Sequence, residues 1–185
     1  MASAALDYFL SNCPIPSTDK VPLSGTILWE YLFARLLNSL GLPDKAIIRK
    51  FLSWTNRPDT TTRLFDGLQE LTVPEFRATI TSLCAARPVV LGLIYVGPGI
   101  FNIWRNHQVL AYAYDRPDDE PKVTNIRVYD PNHPKVDDAV IRCELLGRNR
   151  VQCKETVRIK DDVIEKNVRG FFRMPYTRMI PLCLP

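Results

Sequence analysis

Histidine is scarce in this chain: His107 and His133 are the two that occur. No CxxC is present either, which leaves no zinc motif of familiar spacing, and neither a metal nor a cofactor is expected. No apolar run approaches the ~20 residues of a membrane helix. No charged n-region leads into an apolar h-region at the start. Membrane association is therefore not expected, and the expected location is cytoplasmic. The net charge of +4 is modest, and Lys and Arg form neither runs nor an aromatic-interleaved stripe. A nucleic-acid partner is not expected on that pattern. Internal repeats and low-complexity tracts are also lacking. The five cysteines (13, 84, 143, 153, 183) are an odd number at irregular spacings. They read as reduced thiols packed as small apolar groups. Cys143 and Cys153 are expected to be cross-strand neighbours, where a disulfide stays open.

What is present is enough for one globular domain: 185 residues, 46% hydrophobic and 24% charged. Residues 1–86 read as helical, 87–176 as a sheet and 177–185 as a tail. A first helix over 2–12 places Ala2, Ala5, Leu6 and Phe9 on one face at 3.6-residue spacing. It starts with no cap residue before it, which points to missing upstream sequence, and Cys13-Pro14 ends it. A second helix over 26–39 has Leu28, Tyr31, Leu32, Leu36 and Leu40 as its stripe, after a polar connector at 17–24. Gly41 and Pro43 stop it. A third, over 43–54, buries Ile47, Ile48, Phe51 and Leu52. Residues 55–71 read as a long loop. Thr72 to Glu75 reads as a capping box that starts a fourth helix running to 86, with Phe76, Ile80 and Leu83 inward.

Beyond Arg87-Pro88 the pattern changes. The run VVLGLIYV (89–96) predicts a strand buried on both faces. GPGIFN (97–102) is a loop, and further strands are expected at 139–146, 151–159 and 168–174. Helices first and an antiparallel sheet second is an α+β arrangement.

The stretch 104–134 predicts a β-hairpin. Apolar and aromatic residues fill 107–114 and 126–130, and RPDDEPK (116–122) makes the turn. A register with His107 opposite Asp130 sets Val109 against Val128 and Ala111 against Ile126. That gives one apolar face, ended by an imidazole and a carboxylate. An oriented imidazole of this kind suits general acid–base chemistry. Asn132 is placed either to hydrogen-bond the imidazole or to cap the turn in DPNHP. His133 reads as a surface turn residue, and Trp104 as core rather than a roof over the site.

Taken in order, AALDYF (4–9), WEYLFARLLNSLG (29–41), RPVVLGLI (87–94), NHQVLAYAY (106–114), VYDPNHP (128–134) and RGFFRMPY (169–176) resemble the papain-like cysteine peptidase superfamily. Within it they are similar to a group of mostly uncharacterised papain-like proteins. The resemblance implies a papain-like fold: an N-terminal helical part packed on a C-terminal antiparallel sheet. It implies thiol acyl transfer, the hydrolysis of a peptide, isopeptide or amide bond, with a peptide or protein segment in the cleft. His107 would be general base and then acid, Asp130 would hold its tautomer, and Asn132 would assist. The nucleophilic cysteine of such proteins opens the first helix, just before AALDYF, where helix dipole and imidazolium lower its pKa.

At that position this chain has Ala2, which has no nucleophile. Three accounts stay open: natural loss, an N-terminally shortened chain, or a deliberate change to alanine. Ser3 lies about 100° further round the helix and is expected to point away from His107. Cys13 and Cys84 read as structural. As written, the chain is expected to be inactive. A non-catalytic binding module and a transglutaminase-type acyl transferase stand as alternatives.

Overall fold

A computed structural model describes residues 1–16, 21–41, 45–181 and 183. Among the described residues four α-helices come first: α1 (Ala2–Leu10), α2 (Ile27–Ser39), α3 (Ala46–Thr55) and α4 (Leu68–Cys84). Seven strands follow: β1 (Val89–Ile94), β2 (His107–Asp115), β3 (Val123–Tyr129), β4 (Ala139–Leu145), β5 (Val151–Ile159), β6 (Asp162–Val168) and β7 (Gly170–Arg173). A 3-10 helix, Ile100–Arg105, separates β1 from β2, in and beyond what reads as the GPGIFN loop. All pairings are antiparallel, and the strand order is β6-β5-β4-β3-β2-β1-β7. The class is α+β, as the order of patterns predicts. Among the described residues no helix is long and apolar enough to cross a membrane.

The sheet is covered on both faces. One core gathers Val73, Phe76, Ile80 and Leu83 of α4 with Leu91, Leu93, Val109, Ala111, Val128 and Phe171 of the strands. The other gathers Ala2, Ala5 and Leu6 of α1 and Ile47 and Phe51 of α3 with Val90, Ile94, Leu110 and Phe172. Strand β1 feeds both cores, which is why its sequence is apolar without alternation. Gly92 lies in this strand where a Cβ would come 2.8 Å from the ring of Phe51. The absent side chain lets α3 pack close against the sheet.

Several local expectations need correction. Helix α1 buries every residue from Ala2 to Tyr8 rather than one stripe, and Phe9 is 61% exposed. Its small side chains let it sit between α2, β1 and β2. The most buried residues of α2 are Arg35 and Ser39, while Leu36 is exposed. The expected stop and start at 42–44, and part of the 17–24 connector, lie outside the described residues. Helix α4 begins four residues before Thr72. The amides of Leu68 and Gln69 donate to the carbonyls of Pro58 and Asp59 at 2.9 and 3.0 Å, so a distant loop caps the helix. Thr72 instead donates to the Leu68 carbonyl at 2.6 Å. Glu75 reaches Lys50 and the Arg173 amide, both at 3.0 Å.

Strand β6 has no counterpart in the sequence reading. It is an edge strand, and Val168 is its one buried residue, so no apolar period marks it. The β2–β3 hairpin also differs from the predicted register. Leu110 lies opposite Tyr129 and Ala111 opposite Val128, and a bulge at Tyr112 then sets Ala113 against Arg127 and Tyr114 against Ile126. Up to the bulge the offset is two residues from the predicted one, and beyond it three, the bulge restoring the facing. An even offset preserves faces, and Val109, Ala111, Ile126 and Val128 still share one core.

The cysteines separate into two kinds. Cys13 and Cys183 form a disulfide, against the reading of all five as reduced thiols. Cys84, Cys143 and Cys153 are free thiols. Cys143 and Cys153 are directly cross-strand, with sulfurs 3.5 Å apart.

Candidate functional site

His107 opens β2, and Asp130 follows the last residue of β3. Because the register is offset by two, the pair meets diagonally rather than head-on. His107 Nε2 lies 2.5 Å from Asp130 Oδ1. Asp130 is buried, and the His107 side chain is 19% exposed. The turn after β3 is shaped by the same carboxylate: the Asn132 amide donates to Asp130 Oδ1 at 2.8 Å, and the His133 amide donates to the Asp130 carbonyl at 2.9 Å. His133 is half-buried, and its Nε2 stands 3.9 Å from Asp130 Oδ2. It belongs to the site's charge environment, which its reading as a surface turn residue misses.

Burial pushes the Asp130 carboxyl up. The hydrogen bonds from His107 and the Asn132 amide, with the positive charge of His107 and His133, outweigh that and hold it below the ordinary carboxylate range. An ionised Asp130 against Nε2 assigns the ring proton to that nitrogen when His107 is neutral. Nδ1 then carries the lone pair.

Of the two roles weighed for Asn132, the turn is the one its backbone fills directly. Its side-chain nitrogen lies 3.5 Å from Nδ1 and 3.4 Å from Nε2. An amide nearly equidistant from both ring nitrogens does not lie along the lone pair of either. Orientation of the imidazole rests on Asp130.

Ala2 is fully buried at the N-terminal end of α1, and α1 packs against β2. Its neighbour Met1 lines a cleft of about 260 Å³ together with His107, Gln108, Asn132 and Trp104. Ser3 is buried, and its carbonyl accepts from Arg35 at 3.4 Å. Trp104, read as core, is 71% exposed and stands at the cleft.

Sequence reasoning misses two buried polar clusters. Asp7 of α1 accepts from the hydroxyls of Tyr31 and Tyr176 at 2.7 and 2.6 Å and from the Met179 amide at 2.9 Å. Arg35 Nε lies 2.8 Å from Oδ2, the oxygen that Tyr31 also reaches, while Tyr176 and Met179 bond Oδ1. The signal that marks this pair is Asp7 as the lone charge of α1 and Arg35 as the lone basic residue of α2, which also carries Glu30. In the second cluster, the Tyr95 hydroxyl donates to buried Glu155 at 2.6 Å. Burial, with Glu155 and Asp130 nearby, raises the pKa of Tyr95. Among the described residues no group of His, Cys, Asp and Glu is arranged to hold a metal ion.

Comparison of the chain with protein families, with curated proteins and with solved structures finds no match.

Proposed function

We propose that this chain is a papain-like domain of the thiol acyl-transfer class, acting on peptide, isopeptide or amide bonds, whose nucleophile position is held by Ala2. The observation that carries this reading is the 2.5 Å contact between His107 Nε2 and buried Asp130, at a cleft that Met1 also lines. With a cysteine at position 2, His107 Nδ1 would take the thiol proton. The thiolate would attack the carbonyl carbon, and the imidazolium would return that proton to the leaving amine. Asp130 would hold the imidazole in the tautomer this needs. With alanine there the covalent step is lost. The transglutaminase-type alternative shares this order of groups, and no specific observation favours it.

The test is Ala2→Cys. Its new thiol is expected to have a pKa below the ordinary ~8.5. Iodoacetamide alkylation from about pH 5 to about pH 9 reads that pKa. The signal of the parent thiols is subtracted, and the same variant carrying His107→Ala is the control. Identical profiles with and without His107 would overturn the acyl-transfer reading and leave a binding module. The parent chain is expected to hydrolyse no peptide amide, and Ala2→Cys to restore little.

A further inference from the structure

Two hydrogen bonds fix the pairing type along the β4–β5 hairpin. The Leu146 amide donates to the Arg150 carbonyl at 2.9 Å, and at the far end the Arg158 amide donates to the Asp138 carbonyl at 2.9 Å. With the register of the two strands, this makes the even-numbered pairs the hydrogen-bonded ones. Cys143 and Cys153, directly opposite each other, therefore form a non-hydrogen-bonded pair. In such pairs the Cα atoms stand about 4.5 Å apart and the side chains are closest. A disulfide needs Cα atoms about 4.4–6.8 Å apart, so the paired strands already have a separation that the cross-link accepts. The sulfurs lie 3.5 Å apart, and rotation about the two Cα–Cβ bonds is the movement left to make.

In the folded chain everything else about the pair resists oxidation. Cys143 is 0% exposed and Cys153 2%. Burial, with Cys153 beside it as hydrogen-bond partner and charge, pushes the Cys143 thiol well up, whereas the thiolate is the form that attacks a disulfide. During folding both obstacles are absent. The two cysteines are ten residues apart in sequence. A loop of that length closes in about 10–100 ns and a hairpin forms in about 1–10 μs, ahead of non-local pairings such as β1 with β7. Cys13 and Cys183 are the opposite case. They are 170 residues apart in sequence and meet only in the folded chain, where Cys183 is exposed and Cys13 half-buried. That link closes after folding, so one chain holds both a disulfide and a sealed dithiol.

We propose that Cys143 and Cys153 are a disulfide-forming site whose state is set as the chain folds: folding in the presence of a small-molecule disulfide closes the pair, and folding under reductant seals it as the dithiol. In the first step one cysteine thiolate attacks the small disulfide, breaks its S–S bond and releases one small thiolate. In the second, the other cysteine thiolate attacks the protein sulfur of that mixed disulfide and releases the second. The two protein thiols lose two electrons and two protons, and the small disulfide gains them as two thiols. The chemistry involves neither His107 nor position 2 and is separate from acyl transfer.

The test gives the full chain oxidised glutathione by two routes. Chain unfolded in urea with reductant is refolded into oxidised and reduced glutathione. Chain already folded under reductant is held in the same glutathione mixture without urea for the same time. Remaining thiols are then blocked with N-ethylmaleimide in denaturant, and the chain is digested with trypsin. Arg142, Arg148, Arg150 and Lys154 place the two cysteines on separate tryptic peptides, 143–148 and 151–154, so their cross-link has its own mass. The linked pair is expected in the refolded chain and to be about tenfold or more scarcer in the chain oxidised after folding. A third arm adds oxidised glutathione to folded chain at rising urea below the unfolding midpoint, and needs no recovery from full unfolding. There the rate of linkage is expected to climb with urea, as the open fraction of the sheet does. Absence of the linked pair from both the refolded and the urea-treated chain, or its replacement there by links of Cys143 or Cys153 to the other cysteines, would overturn the pairing. Linkage in the folded chain at a rate that urea leaves unchanged would overturn the dependence on folding.

Discussion

Asp130 concentrates the chemistry of the site in one carboxylate. It receives the His107 ring and the Asn132 amide, and its pKa is held below the ordinary value of 3.8. A carboxyl whose folded pKa lies below its unfolded pKa stabilises the fold fully above the unfolded value. It loses that contribution as pH falls through the folded one. Asp130→Asn removes a buried, charge-assisted hydrogen bond of about 1.5–3 kcal/mol. The variant is therefore expected to be less stable near neutrality. The gap should narrow as the pH drops below 3.8, because protonation has then cost the parent the same interaction. Urea midpoints of both proteins along an acid series measure this, and a gap independent of pH would refute it. The pair is legible in the sequence because period 2 keeps the two residues on one face in any register an even number of residues from the predicted one. Trp104 is not legible in that way. A 3-10 turn has no strong pattern, and an indole before a strand reads the same whether it faces core or cleft.

At the scale of elements, the informative feature is what holds α1 in place. The Asp7–Arg35 pair joins α1 to α2, and both side chains are buried. Arg35 also donates to the Thr177 carbonyl at 3.0 Å, and Tyr176 bonds Asp7, so the C-terminal segment closes over the same pair. Breaking a buried ion pair on one side costs about 3–5 kcal/mol, because the partner is left charged and unpaired. Asp7→Ala is expected to fall in that range. The double variant Asp7→Ala/Arg35→Met is expected to recover part of the loss, and chemical denaturation of the set forms a double-mutant cycle. Additive losses would show that the two charges are not coupled. Helix positions were legible from apolar spacing, but the face of α2 was not. Its leucine stripe reads as core, whereas burial follows the arginine, because Asp7 supplies a counter-charge that no local pattern in α2 reveals. The start of α4 was obscured for a related reason: its capping carbonyls come from residues 58 and 59, which propensity at Thr72 cannot report.

Across the whole molecule, the N-terminal helix and the C-terminal segment are fastened together. Arg178 donates to the Leu10 carbonyl at 2.9 Å, the Met179 amide bonds Asp7, and the Cys13–Cys183 disulfide closes a loop of 170 residues in sequence separation. Irregular cysteine spacing hides such a pairing, since only the fold brings residues this distant together. Disulfides are rare in reducing compartments, which weighs against the cytoplasmic expectation. By loop-closure entropy a cross-link of this span stabilises the fold by about 5 kcal/mol at most. Hydrogen bonds of the same segment to Asp7 and Leu10 persist without it, so reduction should weaken the fold rather than abolish it. Without reductant, iodoacetamide is expected to label exposed Cys84 quickly, and Cys143 and Cys153 only as fast as the sheet opens. After reduction Cys13 and Cys183 should join Cys84 in the fast class. Cys13→Ser/Cys183→Ser should match the reduced parent in thermal midpoint and lie below the oxidised parent. A double variant as stable as the oxidised parent would show that the cross-link adds nothing to the contacts already holding the two ends together.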